Sequence, residues 1–100
     1  MSERKFTPGP WMLSGRTVYA LNDQGFNRFS ALVQDAHTSA VELDANARLI
    51  AAAPELLGAL EYLMAIADRS GRERYIQFQL TPEFLEPARA AIAKATGRSK

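Results

Sequence analysis

An α+β domain is the fold these 100 residues predict: an N-terminal three- or four-stranded antiparallel sheet packed against two or three C-terminal helices. Two observations lead there. Before about residue 38, short runs rich in β-branched and aromatic residues alternate with Gly, Asn and Asp turn signals. After it, stretches dominated by Ala and Leu carry apolar residues at helical spacing. The length suits one domain, residues 1–100, with flexible ends expected at 1–6 and 98–100.

The strands come first. Thr7-Pro8-Gly9-Pro10 is a rigid, extended entry, because its prolines fix φ and remove donors. Trp11 to Leu13 begins a first strand and Ser14-Gly15 a turn. Thr17 to Leu21 reads as a second strand, and Asn22-Asp23-Gln24-Gly25 as a dense turn. From Arg28 to Gln34, Phe29, Ala31 and Val33 alternate with polar residues, as in a half-buried third strand. A three-stranded meander of this kind needs cover on its apolar face.

The helices supply that cover. Ser39 and Glu42 have the spacing of a capping box, which satisfies orphan amide donors reciprocally. A helix is expected from about Ala40 to Ala53, with Leu43, Ala47, Ile50 and Ala51 on one face. Pro54 ends it and suits the start of a second helix, or kinks one continuous helix. Leu56, Leu60, Leu63, Met64 and Ala67 then form an apolar stripe. Tyr75 to Leu80 alternates again, as a fourth strand or an extended arm. The last helix starts at Thr81-Pro82-Glu83 and kinks at Pro87, or begins near Glu86. It buries Ala88, Ala91, Ile92 and Ala95 and ends at Gly97.

Composition limits the chemistry. A net charge of +1 supplies neither the basic excess typical of nucleic-acid binders nor the acidic excess of a DNA mimic, so a nucleotide or nucleic-acid partner would have to use a local patch. The absence of cysteine removes disulfides and thiolate metal sites. No apolar run reaches the ~18 residues of a membrane span, so no membrane association is expected, and MSERKFTPGPW has no signal-peptide core.

Candidate sites are few. His37, the only histidine, has no companion suggesting catalysis or metal binding. Asp44 and Arg48 are spaced as an ordinary helical ion pair, and Asn46 as a solvent-facing residue or a buried structural hydrogen bond. No catalytic residue, cofactor or metal ligand is expected, and hence no enzyme. The partner- or ligand-binding candidates are Arg69, Arg72 and Arg74, which suit an anion, with Tyr75 and Phe78 beside them for stacking. Trp11 and Tyr19 are candidates for an exposed aromatic spot, although a lone Trp in a small domain is more often core.

Three stretches carry a resemblance: TPGPW at 7–11, DANARLIAAAPELLGAL at 44–60 and ARAAIAKATG at 88–97. The chain resembles a family of small accessory proteins of tailed bacteriophages and prophages. Gly58 stands where members often carry an acid, and YIQFQLTPEF has no counterpart. The resemblance implies a setting, the host bacterial cytoplasm, rather than a reaction. It implies an accessory protein that binds and occludes a host protein, antagonising a host system such as antiviral defence in the manner of an anti-CRISPR. A nucleotide-signal sponge at a subunit interface and a passive structural or assembly protein are the alternatives. A homodimer is expected, because the Leu- and Ala-rich helical layer has apolar surface to spare.

Overall fold

A computed structural model describes residues 5–72 and 82–97, with side chains placed for 5–68 and 82–97. Three strands, β1 (Met12–Ser14), β2 (Thr17–Leu21) and β3 (Asn27–Leu32), precede three helices, α1 (Ala40–Ala51), α2 (Ala53–Arg72) and α3 (Pro82–Thr96). The strands form an antiparallel meander in the order β1-β2-β3. A two-residue turn at Gly15-Arg16 joins β1 to β2.

Register decides which side chains meet the helices. Leu13, Val18 and Ala31 lie in one row across the sheet, and Ala20 pairs with Phe29 on the same face. Val18 and Ala20 are buried there, where α1 crosses β1 and β2. Met12, Tyr19 and Ser30 form a row on the opposite face. The pairing shifts after Ala20, so Leu21 meets Asn27 and Arg28 is the extra residue of a bulge.

Ser39 caps α1, its Oγ accepting from Glu42 N at 3.2 Å. The helix buries Leu43, Ala47 and Ala51. It stops two residues earlier than the proline alone implies: Ala52 is its C-cap, with its N–H bonding back to Arg48 O and Leu49 O. Pro54 sits at the second position of α2, where its missing donor costs nothing. The two helices meet at a 49° bend. The last helix begins at Pro82 and continues through Pro87, within its first turns.

The three stretches singled out in the sequence converge. Gly9 lies against Pro54: a Cβ on Gly9 would stand 2.8 Å from Pro54 Cβ. Lys94 Nζ donates to Trp11 O at 3.1 Å and lies 3.1 Å from Glu55 Oε1. That oxygen is buried and lacks hydrogen-bond geometry with any donor, so the ammonium serves it by charge rather than by a directed bond. Gly97 closes α3 at φ +77°, its N–H bonding to Ala93 O at 2.9 Å. A Cβ there would lie 2.8 Å from Arg48 Cδ and Nε, so Arg48 runs across the helix end. Its charge complements the negative end of the α3 dipole.

Small residues make these approaches possible. Among the described residues the buried apolar set is Val18, Ala20, Leu43, Ala47, Ala51, Ala52, Ala59 and Ala91, and Val18 is its largest fully buried member. The core is therefore a set of close backbone seams rather than a pool of large side chains. The principal extents are 54 × 31 × 22 Å. The radius of gyration is 16.7 Å, against about 13 Å for a compact 100-residue domain.

Candidate functional site

The β2–β3 hairpin ends in a turn that its own side chain holds. Asn22 Oδ1 accepts from Gln24 N at 3.0 Å and from Phe26 N at 2.9 Å. The backbone closes the same loop, with Asn22 N donating to Phe26 O at 2.8 Å and Gly25 N to Asn22 O at 3.0 Å. Asn is suited to this because its short amide reaches backbone donors two to four residues ahead. Gly25, at φ +88°, supplies the left-handed step. The loop displays Phe26, whose surface is 69% exposed, while Leu21 before the turn is also exposed. An aromatic side chain held out on a pre-formed turn is the shape of an anchor for an apolar pocket on another protein.

A concavity lies between the sheet and α1. It encloses about 580 Å³ and is lined by Leu13, Arg16, Leu32, Val33, Gln34, Asp44 and Arg48, among others. Arg16 Nε donates to Asp44 Oδ1 at 2.6 Å, and its Nη2 reaches Ala40 O at 3.4 Å. Asp44 is thus engaged across the fold by the β1–β2 turn, in place of the helical pair with Arg48 that spacing alone suggests. One cation of the pocket is neutralised and the other lies over the end of α3. The hollow is broad and open, and Arg16 and Asp44 within it are already committed to each other.

The residues singled out in the sequence are dispersed. Trp11 is half-buried: its Nε1 donates to Thr7 O at 3.0 Å and its ring lies 4.9 Å from that of Phe29. Tyr19, paired with Met12, is on the opposite face, so the two aromatics do not form one spot. Arg69 and Arg72 belong to the last turn and a half of α2. Arg74, Tyr75 and Phe78, and with them the expected fourth strand, lie outside the described residues. His37 is exposed in a turn, its N–H donating to Asp35 Oδ2 at 3.0 Å. Asn46 is exposed, in keeping with the solvent-facing alternative. Among the described residues, no group of three or more His, Asp or Glu side chains is placed to hold a metal ion. Phe26 escaped the reading of the sequence. The signal was there in the order Asn-Asp-Gln-Gly-Phe, a tight turn followed at once by an aromatic residue outside the alternation of β3.

A family model described as Salmonella phage P22 protein Y8K6 matches residues 1–99. The chain belongs to this phage protein family. No curated protein matches it and no solved structure does. For this phage protein the α+β arrangement stands as read from the sequence. Among its described residues no single helix is long and apolar enough to cross a membrane.

Proposed function

We propose that this phage protein acts by docking on a host bacterial protein, with Phe26 as the anchor, and that it performs no bond-making step. The observation that carries this reading is the exposed Phe26 on a turn locked by Asn22. An anchor fixed before binding loses little conformational entropy on docking, so more of its burial appears as affinity. The phage setting supports a host component as the target, and the proposal extends to a host-defence complex whose working surface the protein occludes. The Asn22 turn, β2 and the bulged β3 present the anchor, while α1 holds the sheet rigid behind it.

The test is affinity capture from host lysate with matched variants. Phe26→Asp is on the surface and leaves the fold and its melting unchanged. It should weaken binding of the captured host protein by roughly thirtyfold or more, the effect of losing a ~2 kcal/mol anchor. Asn22→Ala, which leaves Phe26 in place but frees the turn, should weaken it less. A partner retained with unchanged Kd by Phe26→Asp would rule out the hairpin as the docking element.

A further inference from the structure

The sheet has two edges, and they are built differently. β1 is three residues long, follows Pro10, and has the Trp11 carbonyl at its entry taken by Lys94. A short strand, a nearby proline and occupied backbone groups blunt an edge against further pairing. β3 is longer, at six residues. Beyond its bulge at Arg28, the run from Phe29 to Gln34 holds neither a charge nor a proline. Among the described residues no strand lies on its outer side.

Register identifies the groups this edge leaves open. Val33 N donates to Arg16 O at 2.9 Å, which makes residues 16 and 33 a hydrogen-bonded pair. Bonded and non-bonded pairs alternate along an antiparallel ladder. Ala31 and Val18 are therefore bonded to each other, while Ser30 and Leu32, opposite Tyr19 and Thr17, turn their N–H and C=O groups away from β2. Backbone groups in a row at two-residue spacing fit the backbone of another extended strand. The side chains agree. Leu32 is 62% exposed. Ala31 is exposed although Val18 in the same row is buried, because α1 crosses β1 and β2 but not β3.

We propose that β3 pairs antiparallel with β3 of a second copy of this chain, joining the two meanders into one continuous sheet about a twofold axis at Leu32. The stretch 30–34 is complementary to itself in that register. Leu32 meets Leu32 across the axis, Ala31 meets Val33 of the second copy, and Ser30 meets its Gln34. No charge faces a like charge, the device that commonly keeps an edge strand from its own copy. A twofold axis needs only this one patch. The Arg28 bulge and the Phe26 turn lie beyond the paired stretch, so both Phe26 side chains stay free.

Sedimentation equilibrium and crosslinking test this together. At high micromolar concentration the wild-type chain should have twice its monomer mass. Ser30→Pro removes an outward N–H and leaves the ladder to β2 whole, so it should have the monomer mass with unchanged circular dichroism. Leu32→Lys, which sets two ammonium groups against each other at the axis, should do the same. The chain has no native cysteine. Leu32→Cys should therefore crosslink between chains under mild oxidation, since paired Cα atoms about 5.5 Å apart lie within disulfide reach. Val41→Cys, at a position 80% exposed on α1, should not. A wild-type monomer overturns the proposal, whatever else then pairs with β3. A dimer that survives both Ser30→Pro and Leu32→Lys, or that crosslinks through Val41→Cys and not through Leu32→Cys, overturns it equally.

Discussion

Lys94 ties three parts of the fold together, and replacing it with Met measures what that tie contributes. Its ammonium donates to Trp11 O at the entry to β1 and stands 3.1 Å from Glu55 Oε1 in the first turn of α2. Methionine keeps most of the aliphatic stem, so the change removes charge and donor while leaving packing nearly intact. A hydrogen bond from a charged donor contributes ~1.5–3 kcal/mol where water is excluded. Here the Lys94 and Glu55 side chains are 35% and 36% exposed, and screening confines their ion pair to well under ~1 kcal/mol. The bond to Trp11 O is reduced by the same exposure, so together the two interactions amount to about 1 kcal/mol. In a domain this small each kcal/mol moves Tm by ~4–8 °C, so Lys94→Met should lower Tm by that amount. Urea melts at one fixed protein concentration should show a lower midpoint with an unchanged slope. In a double-mutant cycle, Glu55→Gln should cost less in the Lys94→Met background than in the wild type, because the two residues share one interaction. A loss below about 0.5 kcal/mol for Lys94→Met, or strict additivity with Glu55→Gln, would show that the bridge does not hold the three parts together.

Two glycine replacements should move stability in opposite directions. Gly9→Ala drives a methyl to 2.8 Å from the ring of Pro54, and since that ring is fixed to the start of α2, the strain should cost about 1–3 kcal/mol in a urea melt. Gly58→Ala is its counterpart: the site is exposed within α2 and an added Cβ meets nothing within 4 Å. There the helix propensity of alanine should raise stability by about 1 kcal/mol, read as a higher Tm.

Local signals gave the three strands, the start of α1 and the end of α3, because local chemistry sets them. The Ser39 cap, the Pro54 start and the Gly97 stop each act within a turn of their own position. The pairing of Asp44 did not follow from such signals. Spacing within α1 offers Arg48 as its neighbour, but the β1–β2 turn brings Arg16 within 2.6 Å from 28 residues away. Only the folded sheet creates that choice. Leu60 and Met64 illustrate the same limit from another side. Their periodicity correctly marks an apolar face, but it cannot say which arc of a broad apolar helix α3 will cover. The arc centred on Ala59 is covered, and Leu60 and Met64 are left beyond it. Trp11 and Tyr19 are close in sequence, yet strand alternation and the register with Met12 put them on opposite faces. The exposed Phe26 was legible in principle, since its turn is built from residues 22–26 alone.

A core whose buried members are mostly alanines is vulnerable in an unusual direction. In ordinary interiors the damaging change is truncation, which hollows out the space. At Ala20, Ala47, Ala52 or Ala91 almost every substitution makes the residue larger, so harm comes from bulk that pries neighbouring backbones apart. Sequence drift in such a protein should accordingly run along its outer faces, while the inner contact lines admit little beyond what they hold.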